Sequence, residues 1–277
     1  MNQVQQVTPV DAWKFRQLYA AGMAVRTIGS RLGFGSTTVH RRLKRDGMVC
    51  RRAGYISRKY HCNDFAFDVI DTEAKAYWLG FLAADGSFGQ KGRLVELSLA
   101  RKDRSQIEAF IKFLDSNYRI HDGFNVVGQK KFPRSQVDIF SMHMVETLKG
   151  YGLSSGRVAW MPWPELIGRG LTRHYLRGYF DGDGCFWKDK RRTAKSVKFG
   201  LLGNETFLRS CANFIQKKCG VAPKNPRKAG KSLKVKSLEY DAMSDVAKIA
   251  HLMYDGATVF LQRKFDVVRP LLDATGF

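Results

Sequence analysis

The chain has 277 residues, with 47 lysines and arginines against 25 acids and a formal net charge of +22. Hydrophobic residues make up 44% of it, too much apolar mass for a disordered basic tail and enough for roughly one to three folded domains. No apolar run approaches the roughly 20 residues that cross a bilayer, and residues 1–10 lack the charged and apolar regions of a secretory signal. Five cysteines without a C-x-x-C pair argue against a disulfide framework or structural zinc. The expectation is an intracellular protein, in the cytoplasm or another DNA-containing compartment and away from membranes, whose charge is met by nucleic acid.

Positive charge is densest at the start: residues 1–62 hold 12 Lys/Arg against two acids, Asp11 and Asp46. Residues 11–21 place Trp13, Phe15, Leu18 and Tyr19 near helical spacing, with Gly22 as the stop. Residues 25–32 predict a second short helix, broken by Gly33-Phe34-Gly35. Ser36 or Thr37 is expected to cap a third helix, with Val39 and Leu43 inward. Two short helices joined by a glycine turn, the second rich in cations, resemble the helix-turn-helix modules of resolvases and transposases. That resemblance implies a third helix in the major groove, with Thr37, Thr38, His40, Arg41 and Arg42 near bases and Lys44 and Arg45 near phosphates. Residues 1–50 form this domain; 51–70 read as a basic linker in which Arg51 and Arg52 track a DNA backbone. His61-Cys62 lacks a second pair at zinc spacing and reads as ordinary linker.

Residues 77–88 (YWLGFLAADGSF) and 175–186 (YLRGYFDGDGCF) repeat at an offset of 98. Both predict short helices, apolar or aromatic around most of their circumference. Gly80 and Ala84, like Gly178 and Gly182, leave a stripe free of bulky side chains, so two such helices can meet nearly backbone to backbone. Gly86 and Gly184 stand where a left-handed cap is expected. Asp85 and Asp183 precede them, facing the negative helix end at a cost of roughly 0.3–1 kcal/mol and repelling one another if the helices pair. A divalent cation offsets both terms, and carboxylates with phosphate oxygens and water suit Mg²⁺. Two metal-bound carboxylates beside basic residues are a constellation for phosphodiester hydrolysis. An EF-hand beginning at Asp181 fails, because Cys185 and Arg192 occupy its fifth and twelfth positions.

Residues 78–86 (WLGFLAADG) and 176–184 (LRGYFDGDG) resemble the paired motif of the LAGLIDADG homing endonucleases, the likeness covering roughly residues 65–277. It implies an α+β fold of two pseudo-symmetric αββαββα halves, at 71–165 and 166–277, with the motif helices between them and the sheets forming a saddle over double-stranded DNA. It implies that Asp85 and Asp183 bind Mg²⁺, or Mn²⁺ as a substitute, with the carbonyls of Ala84 and Gly182 as further ligands. Staggered cuts with short 3′ overhangs follow from the same likeness, and both halves lying in one chain predict a functional monomer. At the sixth motif position Ala83 replaces the usual acid, which the second copy keeps as Asp181. A basic residue serves near the metals in each half of the family: Lys264 is aligned there in the second half and Arg157 in the first, while Arg101 lies at the strand end where a water-organising residue is found.

Residues 93–100 and 196–202 alternate as half-buried strands, each followed by a helical stretch, at 105–114 and 205–215. Their polar faces would carry Glu96, Ser98 and Lys198 to base edges, while Lys91, Arg93, Lys188, Lys190, Arg191, Arg192 and Lys195 run along phosphates. Residues 128–134 and 224–236 are further basic hairpin segments, and Trp160, Pro162, Trp163 and Pro164 form a rigid connector between halves. The same fold could also serve a non-cleaving DNA-binding regulator or an RNA-splicing maturase.

Overall fold

A computed structural model describes residues 6–20, 22–48, 60–89, 92–153, 163–165, 167–168, 170–188, 197–230 and 235–274. The chain divides into two compact units, Met1–His61 and Cys62–Phe277.

The first unit holds α1 (Pro9–Ala20), α2 (Val25–Leu32) and α3 (Ser36–Arg45). Phe15, Tyr19, Ile28, Val39 and Leu43 form its core. Trp13 stays 55% exposed, one position off the buried Ala12–Phe15–Tyr19 stripe of α1. Gly33 closes α2 at φ +76, and its amide donates to Gly29. A Cβ at Gly29 would lie 2.5 Å from the Phe34 carbonyl oxygen, so only glycine lets the turn fold back this tightly. The expected side-chain cap of α3 is absent. Gly35 is the N-cap, and Ser36 is already helical.

The second unit repeats one pattern. The first half runs α4 (Glu73–Asp85), β1 (Gly86–Phe88), β2 (Leu94–Ala100), α5 (Arg104–Phe113), β3 (His121–Val127), β4 (Lys130–Phe140) and α6 (Met142–Gly150). The second runs α7 (Thr172–Asp183), β5 (Gly184–Lys188), β6 (Val197–Gly203), α8 (Glu205–Cys219), β7 (Arg227–Lys228), β8 (Lys236–Tyr240) and α9 (Met243–Tyr254), and α10 (Gln262–Ala274) follows. Each half has an antiparallel four-stranded sheet, ordered β1-β2-β4-β3 and β5-β6-β8-β7. This is the αββαββα duplication that the motif resemblance implies. Residues 62–70, expected as the end of the linker, pack on the first half: Phe67 is buried, the Asn63 amide donates to Leu114, and Asp68 accepts from Thr147.

Alternation divides each sheet between core and outer face. Val95, Leu97 and Leu99 of β2, with Val137 and Ile139 of β4, turn inward beneath the helices. Val197, Phe199 and Leu201 do the same in β6. The opposite face of the first sheet carries Glu96 and Ser98, paired with Asp138 and Gln136. Arg134 donates to Ser98 and Gln136, and Gln136 donates to Asp138. Beyond Ala100, the last β2 residue paired to β4, strands β3 and β4 continue as a two-stranded ribbon. Among the described residues no helix is long and apolar enough to cross a membrane.

Candidate active site

The site begins with four small residues. A Cβ on Gly80 would stand 2.9 Å from both the Tyr175 carbonyl carbon and the Tyr179 amide nitrogen of α7. One on Gly178 would stand 2.8 Å from the Tyr77 carbonyl carbon and 2.9 Å from the Phe81 nitrogen of α4. The 98-residue offset maps each set of contacts onto the other, so the helices cross about a pseudo-twofold at backbone distance. Ala84 and Gly182 face each other one turn on. A Cβ on Gly182 would overlap that of Ala84, and Asp85 Oδ2 lies 3.2 Å from its position. The Asp85 carboxylate therefore reaches across to the other motif helix.

Asp85 and Asp183 are the last residues of α4 and α7, and both are half-buried. Burial raises the Tyr179 hydroxyl pKa far above its ordinary value, and the Asp183 and Asp85 carboxylates raise it further. Both acids thus act on one buried tyrosine. The glycines behind them are not left-handed caps: Gly86 has φ −64 and ψ 143, Gly184 φ −96 and ψ 169, and each passes directly into a strand. They are glycines because a Cβ would collide with the preceding helical turn, 2.5 Å from the Leu82 oxygen at Gly86 and against the Phe180 ring at Gly184.

Lys264, in the first turn of α10, is 5% exposed. Its Nζ donates to the carbonyls of Phe180 (2.8 Å), Asp181 (2.7 Å), Gly182 (3.1 Å) and Gly184 (2.6 Å). Burial pulls its pKa down to about 8, against the Asp181 and Asp85 carboxylates, which raise it. The carbonyl end of α7, expected to need a metal to offset its dipole, already holds this ammonium. The aligned Lys264 thus binds main chain at the acid. Its counterpart Arg157 lies outside the described residues.

A buried polar network flanks this centre. Arg177 is wholly buried; it donates to Glu73 (2.6 Å), Met253 O (2.6 Å) and Val259 O (2.9 Å), and its Nη1 lies 3.0 Å from His174 Nδ1. Burial would raise the Glu73 pKa, but the Thr258 amide, the Arg177 guanidinium and the Val259 amide outweigh it and hold the carboxyl below its usual range. Asp181 accepts from Tyr77 Oη (2.8 Å), Tyr254 Oη (2.9 Å) and the Leu261 amide (2.7 Å). Gln106 donates to Tyr77 Oη at 2.6 Å, leaving the tyrosine hydrogen for Asp181. Burial raises the Asp181 pKa, while these donors and Lys264 oppose the rise. Burial, then Arg177, lowers His174 to about 4. Sequence reading assigned none of Arg177, Glu73 and Gln106 to a site. An arginine at the second position of the second motif copy, where the first has Leu79, was the available signal.

The remaining expected residues are spread over the surface. Arg101 is exposed, stands over the Phe124 ring (5.9 Å) and donates to the Gly123 carbonyl (3.5 Å), directing its guanidinium onto β3. Glu96, Ser98 and Lys198 lie on the outer sheet faces, and Arg93 is exposed. On α3, Thr37, His40, Arg41, Lys44 and Arg45 are exposed while Thr38 and Arg42 are half-buried, and Arg42 donates to Asp46 (3.0 Å). Arg51, Arg52, Lys91, Lys190, Arg191, Arg192 and Lys195, with the Lys188 side chain, fall outside the described residues.

Among the described residues no cluster of three His, Cys, Asp or Glu side chains could hold a metal. Mg²⁺ keeps several waters and takes one or two carboxylates together with substrate phosphates. Asp85, Asp183 and the neighbouring carbonyls are an all-oxygen set of that kind. The two carboxylates stand at the ends of helices in backbone contact, with Asp85 Oδ2 directed to Gly182, so the residues present fit such an ion.

No family model matches the chain, and no curated protein does. Solved structures similar to it include the LAGLIDADG homing endonuclease I-GzeII in complex with its DNA target, 13% identical over 72% of this chain and 90% of that one, with a TM-score of 0.45. Another is the LAGLIDADG meganuclease I-CpaMI bound to uncleaved DNA, 14% identical over 72% and 94%, with a TM-score of 0.43. Full-length DUF199/WhiA from Thermatoga maritima is 15% identical over 78% of this chain and 66% of that one, with a TM-score of 0.43. Likeness at these identities is one of fold. The chain's own architecture is two αββαββα halves closed on a pair of helices that carry the repeated segments ending at Asp85 and Asp183.

Proposed function

We propose that the chain is a site-specific double-strand DNA endonuclease of the homing type, acting as a monomer and giving short 3′ overhangs. The observation that carries this reading is the backbone contact of two helices along Gly80 and Gly178, each ending on an aspartate, with Asp85 Oδ2 directed to Gly182 beside Asp183. Asp85, Asp183 and the carbonyls of Ala84 and Gly182 would hold Mg²⁺, with Mn²⁺ as a substitute. A divalent cation supplies charge that stabilises the leaving oxygen and activates water. The chain's own residues do the rest. Lys264 holds the main chain around Asp183 by its four carbonyl contacts. The outer sheet faces, with Arg134, Gln136, Ser98, Glu96 and Lys198, offer donors and acceptors to base edges. Exposed Arg101 and Arg93, and Arg157 and the basic loops at 90–93 and 188–195, meet phosphates. The unit of residues 1–61 extends the bound site through α3, with Thr37, Arg41, Lys44 and Arg45 centred opposite the Val39–Leu43 core stripe. Tethering the two binding units raises affinity for a long target.

Incubation with Mg²⁺ and a library of long random duplexes tests the reading. Cutting of a defined sequence is expected, and Asp85→Asn with Asp183→Asn should abolish it while binding persists. Binding without any metal-dependent cutting would replace the enzyme with a non-cleaving regulator. Cutting that survives the double substitution would overturn the assignment of the acids.

A further inference from the structure

The 98-residue offset superposes the small residues of α4 and α7 but not their flanks. Asp181 corresponds to Ala83, Arg177 to Leu79, His174 to Ala76, and Leu171 to Glu73. The polar flank grips the segment 253–261, which runs from the last two residues of α9 to the start of α10. Arg177 holds its carbonyls at Met253 and Val259. Glu73, from the first half, accepts from its amides at Thr258 (2.7 Å) and Val259 (3.4 Å). Asp181 accepts from the Leu261 amide and the Tyr254 hydroxyl. Gln262 begins α10 immediately afterwards, so the grip fixes where that helix starts. Lys264 stands in its first turn, and its four carbonyl acceptors, at 180, 181, 182 and 184, bracket Asp183 on both sides.

We infer that Arg177, acting with Glu73 of the other half, is a positioning residue for the second acid. It fixes segment 253–261, the segment sets α10 and Lys264, and Lys264 sets the main chain on either side of Asp183. Arg177 needs no contact with DNA or metal for this. Its fork is suited to gripping two carbonyls and a carboxylate together, which a lysine head cannot do. The first acid has a hydrocarbon residue, Leu79, at the equivalent position. The consequence for cutting rests on the endonuclease reading, with each half serving one strand: loss of the grip should slow one strand selectively.

The test compares full-length wild type, Arg177→Met, Arg177→Lys and Leu79→Met, the last a volume-conserving change on the apolar flank. The substrate is a duplex recovered by wild-type cleavage from the random library, with a different label on each strand. Because a misplacement of about 1 Å can cost about 100-fold in rate, Arg177→Met is expected to slow one strand at least about tenfold more than the other. DNA affinity should stay within about twofold, Arg177→Lys should fall between, and Leu79→Met should leave the ratio unchanged. Hydrogen exchange gives a readout without catalysis: protection should fall at residues 183–186 and 258–264 in Arg177→Met, and hold at residues 86–88. Equal slowing of both strands, or unchanged exchange at 183–186, would overturn the inference. If wild type cuts no duplex, the endonuclease reading falls, and the exchange data alone still decide whether Arg177 positions Asp183. If Arg177→Met does not fold, Glu73→Gln, of the same shape and removing the carboxylate that Arg177 and the 258–259 amides share, replaces it under the same two criteria.

Discussion

The two motif helices are alike in their backbone contact and unlike in what lies beside it. Gly80 and Gly178 make one contact seen from opposite ends, yet one flank holds Leu79, Ala76 and Ala83 while the other holds Arg177, His174 and Asp181. Close approach of main chains tolerates no side chain, so both copies keep glycine. The flanks only have to fill space and satisfy polar groups. One does so with hydrocarbon, the other with a network that draws in Glu73 and Tyr77 of α4 and also secures α10.

The strongest way to break the shared part is Gly178→Ala or Gly80→Ala. Overpacking costs about 1–3 kcal/mol and sometimes more. Here the obstacle is the partner's main chain, which cannot rotate aside as a side chain would. Each variant should lose about 3 kcal/mol or more, a fall in Tm of roughly 6–12 °C, and the two losses should match. A tolerated alanine at one position alone would break the twofold.

Acid unfolding sharpens the unlike part. His174 has its pKa lowered to about 4 from 6.5, first by burial and then by Arg177. The unfolded chain therefore takes the proton first. Its contribution to stability is whole above pH about 6.5, declines as pH falls towards about 4, and changes no further below that, a loss of about 3 kcal/mol. Glu73, whose carboxyl sits below its usual range, adds a later loss at more acid pH. Melts across this range should show the first decline in wild type and not in His174→Gln. An unchanged decline in the variant would remove His174 as its source.

The smallest expected effect concerns the helices that cross beneath the sheets. Asn204 caps α8 through the Phe207 amide at 2.8 Å. Asp103, at the equivalent end of α5, makes no side-chain cap and pairs instead with Arg263 of α10 at 2.7 Å. Asn204→Ala should cost about 1 kcal/mol, as caps do, and leave exchange in α10 unchanged. Asp103→Ala should raise exchange at the start of α10. Identical exchange in both variants would contradict this division of roles.

Much of this was legible in the chain because it depends on local spacing. The glycine turn before α3, the alternation of β2 and β6, and the duplicated motif all concern residues a few positions apart. β3 escaped notice because both of its faces are largely exposed along the ribbon, so HDGFNVV carries no buried alternation. The conformation of Gly86 and Gly184 depends on the strands that follow them, and a left-handed cap was the reasonable expectation from Asp-Gly alone. Lys264 was found by family likeness, but its hold on four carbonyls depends on a segment 80 residues away from the motif. The Arg177 network spans still longer separations, from Glu73 to Val259, and no periodicity in either half announces it.

The facing pair Ala84 and Gly182 has a consequence for how such a chain could have been assembled or could be taken apart. Two copies of the first half would bring two methyl groups into a space that holds one. Two copies of the second would bury Arg177 without Glu73, since Leu171 stands at that position. Neither half can replace the other as a homodimer with this packing. The duplication has become a heterodimer held in one polypeptide, and the covalent connection guarantees a one-to-one ratio of parts that no longer recognise themselves.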